Sequence, residues 1–175
     1  MAEKYAAPVI TARRTIEFIE YPLPKIGPRD TLIKMKMCGV CGSDLHLYRG
    51  EWDPPYPRIQ GHELFGEVVE IGAEAAEKHA VQVGDPVNVE ILIPCKDCYY
   101  CERGNYARCD KMYIFGLMKC DSPPHFWGGF GPYLFVPFDA RVHRFPPDVI
   151  PEAAVLTEPL ATAVRACKLS QISIG

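Results

Sequence analysis

Cys95, Cys98, Cys101 and Cys109 fall within fifteen residues in the spacing C-x2-C-x2-C-x7-C, with Pro94 just before them and Gly104 in the last loop. Four thiolates this close can surround one tetrahedral Zn2+ at ~2.3 Å each, and a centre with no position left open is structural. The competing readings are an iron–sulfur cluster and paired disulfides. A ferredoxin run brings its fourth cysteine closer and follows it with proline, whereas Asp110 follows Cys109, so zinc is the favoured ligand. Residues 94–112 then form a lobe that metal holds together in place of an apolar core.

A second set of donors is dispersed: Cys41 in C-G-S-D, His62 and Glu63 in G-H-E, and Glu158 in T-E-P-L. Taken singly, a cysteine after a strand packs as a small apolar residue and a histidine satisfies a hydrogen bond. Taken together they match catalytic zinc, which uses about three N, S or O ligands and keeps one position for water or substrate. Cys38 makes a C-x2-C pair with Cys41. With Cys41 given to the metal, Cys38 is read as a packing residue, against its parity with Lys34 and Lys36. Cys120 and Cys167 have no partners at informative spacing; Cys167 is the fallback third ligand should Glu158 point away. Trp52, Tyr56, Phe115, Phe126 and Trp127 either wall a substrate pocket or pack beneath loops.

These residues need a scaffold, and composition bounds it. The 175 residues are 48% apolar and 23% charged with net charge −3, enough for a real core and too apolar for wholesale disorder. The mild acidity gives no reason to expect nucleic acid or anionic membrane as a partner. No apolar run reaches the ~18 residues of a membrane span, and MAEKYAAPVI carries no secretory h-region. A cytoplasmic, reducing location is expected, where clustered cysteines bind metal more often than they pair. The 17 prolines favour strands joined by loops over long helices. Thr31 to Met37 alternates, and similar β-rich runs span Thr15 to Tyr21, Leu64 to Ile71, Pro86 to Ile93, Tyr133 to Phe138 and Arg141 to Phe145. Two helices are expected, Ser43 to Arg49 and Pro151 to Lys168, the second broken or kinked at Pro159. The fold class is therefore mainly β, a twisted barrel or sandwich with a few short helices.

The stretch Gly61 to Gly72, GHELFGEVVEIG, matches G-H-E-x-x-G-x-V-x-x-x-G at every fixed position, and the chain resembles the zinc-dependent medium-chain alcohol dehydrogenases. GVCGSDLH at Gly39 to His46, GGFGPYLFVP at Gly128 to Pro137, and Glu158-Pro159-Leu160 extend the resemblance over essentially the whole chain. It implies a GroES-like catalytic domain over 1–175, with the four-cysteine lobe as the structural zinc site. It also implies Cys41 and His62 as zinc ligands and Glu158 as the third, where the alcohol branch has cysteine and the polyol and threonine branches have glutamate. Glu63 would be an alternating fourth ligand and Asp44 would fix the His62 tautomer. Ser43 would take the alcohol proton, and His46 would pass it to solvent. An N-cap for Ser43 and Asp44, and simple exposure for His46, are the bland readings of the same residues.

The implied activity is hydride transfer from a polyol, sugar or amino alcohol to NAD or NADP, in an enzyme that is a homo-oligomer at full length. Such an enzyme needs a Rossmann domain, and no G-x-G-x-x-G follows a strand in these residues. Gln171 to Gly175 is where members begin the first strand of that domain. Gly42 stands where some members carry a basic residue on the cofactor phosphate, so no cofactor contact is expected there. The chain is expected to be inactive alone; the alternative is a non-catalytic zinc module or truncated product acting through a partner.

Overall fold

The computed structural model describes residues 3–52 and 54–171. Nine strands and a few short helices make up these residues. Strands β1 (Lys4–Ala12) and β2 (Thr15–Pro22) form an antiparallel hairpin. A five-stranded antiparallel sheet has the order β8 (Tyr133–Val136), β3 (Thr31–Gly39), β4 (Glu63–Ile71), β5 (Pro86–Val89), β9 (Val142–Arg144). Each strand contributes to one core: Ile33, Leu64, Val68, Val87, Val89, Leu134, Val136 and Val142 pack together with Phe115. Each such side chain fully removed from water contributes ~1.5–3 kcal/mol.

Strand β3 alternates as its sequence requires until Lys36. Met35 pairs with Gly66 and Met37 with Phe65, so Lys36 is an extra residue and the ladder bulges. The bulge reverses the parity beyond it. Cys38, which strict alternation would place with the lysines, packs against the main core beside Met35, while Met37 turns to the cluster of Phe65, Ala154 and Val155.

Two of the expected elements are divided in the structure. The run Pro86 to Ile93 divides, because after Val89 the chain leaves the sheet and β6 (Leu92–Ile93) pairs with β7 (Tyr113–Ile114) at the base of the cysteine lobe. That lobe holds a single helical turn, α3 (Tyr99–Glu102), and a 3-10 turn at Tyr106–Arg108. The expected C-terminal helix is two, α4 (Pro151–Ala154) and α5 (Thr157–Ser170). Pro159 is the cause, but the break lies upstream: its missing N–H and its ring exclude a bond to Val155, so a new helix starts with Pro159 in its first turn, where no donor is needed.

Two elements escape the sequence reading. Strand β1 carries Pro8 and three alanines, a weak strand signal. Helix α2 (Ala73–His79) has seven residues, no side-chain cap, and Ala75 as its buried residue; the carbonyl of Pro28 accepts the free N–H groups of Glu74 and Ala75. The segment expected to open a further domain lies, beyond Gln171, outside the described residues. No helix among the described residues is long and apolar enough to cross a membrane.

Candidate metal and catalytic site

At the end of β3 the chain turns through Val40 into helix α1 (Gly42–Arg49), and Cys41 is its N-cap. Cys41 Sγ accepts from the Ser43 amide at 3.3 Å, and Asp44 Oδ2 accepts from the Cys41 amide at 3.0 Å. These reciprocal bonds form a capping box and hold the thiol at the helix N-terminus. Strand β4 begins beside this turn, with Glu63 opposite Gly39. A Cβ on Gly39 would lie 1.8 Å from Glu63 Oε2, so glycine there leaves the carboxylate its place. Gly61, just before His62, has φ +97°, and a Cβ would meet the amide nitrogen of Phe130 at 2.7 Å.

The turn and the strand bring the Cys41, His62 and Glu63 donor atoms within 4.8 Å of one another. Ser43 Oγ lies between them, 2.8 Å from Cys41 Sγ and 3.4 Å from His62 Nε2. His62 Nδ1 is 3.5 Å from Asp44 Oδ1, which is buried and has no other partner among the described residues. In the neutral ring Asp44 thus draws the imidazole proton to Nδ1 and turns the Nε2 lone pair toward Ser43 and Cys41. The bond to Asp44 raises His62 to about 9 against the cost of its burial. Burial pushes the Cys41 thiol up, but the Ser43 hydroxyl and amide, with His62, outweigh it and leave the thiol below its ordinary value. An S, N, O donor set around a low-pKa thiol suits a borderline-soft cation such as zinc.

Glu158, the second residue of α5, stands outside this group of three. Burial raises its carboxyl, the charge of His62 lowers it and that of Glu63 raises it further. It faces a groove of about 660 Å3 that also meets Glu90, Tyr106 and His143. His46 is one turn along α1 from Ser43. Its ring is stacked on Trp52 at 5.3 Å and Nδ1 is bonded to Glu51. No direct hydrogen bond joins His46 to Ser43 among the described residues. Of the loop aromatics, Phe115 and Phe126 are fully buried in two separate clusters, and Trp127 is half-buried against the one that holds Phe115. Glu51 was not among the residues expected from sequence, since a lone glutamate five positions after a histidine carries no signal of its own.

The four lobe cysteines also meet the demand of their spacing. Their Sγ atoms lie mutually within 4.8 Å, with Cys95 3.4 Å from Cys109 and 4.0 Å from Cys101. Four sulfurs at ~2.3 Å from one zinc would be ~3.8 Å apart. The separations bracket that value and are far from the ~2.05 Å of a disulfide. Backbone N–H groups of Asp110 and Cys101 lower Cys98 to about 6, while Asp97 pushes Cys95 up to about 12. The same backbone donors that favour a thiolate at Cys98 favour its capture by metal.

Residues 27–147 match the alcohol dehydrogenase GroES-like domain. The chain belongs to that family. It is 41% identical over 152 residues to L-threonine 3-dehydrogenase of Pyrococcus furiosus, covering 85% of this chain and 40% of that protein. It is 33% identical over 181 residues to erythritol/L-threitol dehydrogenase of Mycolicibacterium smegmatis, covering 98% of this chain and 49% of that protein. Its structure resembles that of a chain assigned as a zinc-binding dehydrogenase of Sinorhizobium meliloti 1021, solved with NADP. The TM-score is 0.86 at 29% identity, over 99% of this chain and 47% of the other. The chain therefore spans less than half the length of each of these relatives.

Proposed function

We propose that this chain is the catalytic half of a zinc-dependent dehydrogenase that oxidises a secondary alcohol of the polyol, sugar or amino-alcohol class, with NAD or NADP as hydride acceptor. The observation that carries this reading is the Ser43 hydroxyl set between the Cys41 thiol and the His62 imidazole, beside Glu63. A zinc ion held there would supply Lewis-acid polarisation of the alcohol oxygen. The protein's own part is proton handling and orientation. Ser43 Oγ accepts the alcohol proton and donates its own onward, since a hydroxyl can do both. His46 passes it to solvent, and Glu51 with Trp52 holds the ring. Asp44 keeps His62 in the tautomer that offers Nε2.

Glu158 is the third ligand in this reading, supported by its coupling to His62 and Glu63. The names of the threonine and erythritol relatives support the substrate class and the NADP-bound one the cofactor. A cytoplasmic location, a catalytic domain over 1–175 and a homo-oligomeric full-length enzyme complete it.

Metal analysis of the reconstituted chain tests the reading: two zinc ions are expected, falling to one in Cys41→Ala. A single zinc unchanged by that substitution refutes the dispersed site. In a chain extended to the relatives' length, Ser43→Ala is expected to reduce kcat for alcohol oxidation ~10²–10⁴-fold with zinc retained; the 175-residue chain alone is expected not to turn over.

A further inference from the structure

The groove that Glu158 faces, about 660 Å3, has the size of a small-molecule site. Its walls are α5, the end of β5, β9 and the 3-10 turn of the cysteine lobe. Asn88 and Glu90 are two residues apart and share one face of the sheet, and β9 sets His143 opposite Asn88. The Glu90 amide continues the ladder past β5 by donating to the Arg141 carbonyl at 3.0 Å. Asn88 Nδ2 donates to the Leu64 carbonyl at 2.6 Å, which ties this wall to the strand that carries Glu63.

Most polar side chains of the lining are spent on the protein itself. Tyr106 donates through its hydroxyl to Glu90 Oε2 at 3.0 Å, and His143 Nε2 donates to Glu90 Oε1 at 3.0 Å. Arg141 Nε lies 4.0 Å from the same carboxylate, with the guanidinium over the Tyr106 ring at 4.2 Å. The Thr157 hydroxyl donates to the Ala154 carbonyl, and that of Thr162 to the Glu158 carbonyl. Besides Glu158, the lining groups with unspent capacity among the described residues are His143 Nδ1, the Asn105 amide and the Arg165 guanidinium. Because Nε2 gives its proton to Glu90, the neutral His143 ring carries a lone pair at Nδ1, on an imidazole fixed from three elements.

Given the zinc-dependent dehydrogenase proposed above, on which this rests, the geometry points to His143 as a specificity-determining residue. Its Nδ1 accepts from a substrate hydroxyl beyond the reacting carbinol, and the groove thereby selects uncharged polyols over amino alcohols. An acceptor set among N–H donors is met by hydroxyls, which both donate and accept. An ammonium finds no free counter-charge there. Glu90 and Glu158 are the carboxylates of the lining; the first is shared by Tyr106, His143 and Arg141, the second is given to the metal, and Arg165 repels a cation. A monohydric alcohol reaches the metal end alone and gains nothing from His143. Glu90 does not touch the substrate; it is a positioning residue that acts through the imidazole.

The test follows the imidazole resonances of His62 and His143 by NMR in the zinc-loaded chain, titrated with D-sorbitol, its 2-amino-2-deoxy analogue and 2-butanol. Sorbitol is expected to shift both rings with one dissociation constant, and 2-butanol to shift His62 alone. The amino analogue is expected to bind about fivefold more weakly than sorbitol. His143→Phe, at a side chain 55% exposed, keeps a ring and removes the acceptor. It is expected to weaken sorbitol about three- to tenfold and leave 2-butanol unchanged. Glu90→Ala is expected to act in the same direction, and Glu90→Gln, which keeps an oxygen for Nε2, to restore most of the affinity. Sorbitol that shifts His62 and not His143, or that binds His143→Phe as tightly as the unsubstituted chain, overturns the role of His143 and leaves the dehydrogenase reading standing. Equal affinity for sorbitol and its amino analogue overturns the selection against amino alcohols. Failure of both sorbitol and 2-butanol to shift His62 overturns the dehydrogenase reading itself.

Discussion

Asp44 is 4% exposed and serves two neighbours at once, accepting from the Cys41 amide through Oδ2 and facing His62 Nδ1 through Oδ1. Asp44→Asn separates the two roles. An asparagine oxygen still accepts from the Cys41 amide, so the reciprocal bond of the box is kept and α1 loses the first-turn charge of Asp44, ~0.3–1 kcal/mol. The amide NH2 must then face His62 Nδ1, and because it can only donate there, Nδ1 becomes the acceptor and the ring proton moves to Nε2. That proton occupies the direction of Ser43 and Cys41 in which a metal needs a lone pair. Loss of such a supporting group lowers metal affinity ~10–100-fold, or ~1.4–2.7 kcal/mol. Competition of the reconstituted chain against a zinc-binding indicator measures this, with the four-cysteine site as an internal reference that stays unchanged. The 15N shifts of the His62 ring report the tautomer independently. Unchanged affinity at the dispersed site, with the proton still on Nδ1, refutes the tautomer argument; equal loss at both sites refutes the separation of the two centres.

Other substitutions probe different layers. Cys109→Ser is expected to remove the lobe zinc while retaining the one at Cys41 and His62, and to open residues 94–112 to limited proteolysis; metal stoichiometry and cleavage mapping check it. Gly39→Ala places a Cβ against Glu63 and is expected to destabilise the chain by ~1–3 kcal/mol and to weaken zinc at the dispersed site, measured by urea midpoint and indicator competition. Burial lowers His79 to about 4, and its Nε2 has no hydrogen-bond partner among the described residues. Its uncharged form is favoured by the fold, so its contribution is intact above pH ~6.5 and is lost as pH falls from there through about 4. His79→Gln is expected to flatten that part of the stability profile, read as urea midpoints at pH 7 and pH 4.5.

Much of the scaffold is legible because its strands obey simple periodicity. Thr31 to Met37 alternates in sequence and forms most of β3, whereas the short helix expected from Ser43 begins one residue earlier, at Gly42, with Cys41 rather than Ser43 or Asp44 as its N-cap. The bulge at Lys36 is not legible, because one extra residue in a ladder depends on where the partner strand places Gly66 and Phe65. It decides the side to which Cys38 turns. Helix α2 is illegible for a related reason: its N-terminal donors are satisfied by Pro28, far away in sequence, and not by a local capping residue. Within the site, Cys41, His62 and Glu63 were marked by their motifs, and the fold brings them together. The Glu51 contact to His46, by contrast, depends on the chain path after Gly50, where φ turns to +68° and reverses the direction of the backbone. No residue type announces it.

The coincidence of helix cap and donor at Cys41 has an energetic consequence. The thiol that caps α1 through the Ser43 amide is also a proposed ligand, and the Asp44 carboxylate that completes the box also orients the imidazole facing that thiol. Forming the first turn of α1 therefore sets the dispersed site, and a ligand that holds Cys41 and His62 in place favours that turn in return. Four residues, 41–44, thus join the end of β3, the start of α1 and the imidazole of β4's leading edge in one cooperative unit. A substitution that merely frays α1, such as one at its C-cap Gly50 (φ +68°), would leave the box intact. One at Asp44 or Cys41 would not. On this argument zinc affinity at the dispersed site should follow the protection of the α1 amides closest to Cys41 in hydrogen exchange, and should be indifferent to fraying at Arg49.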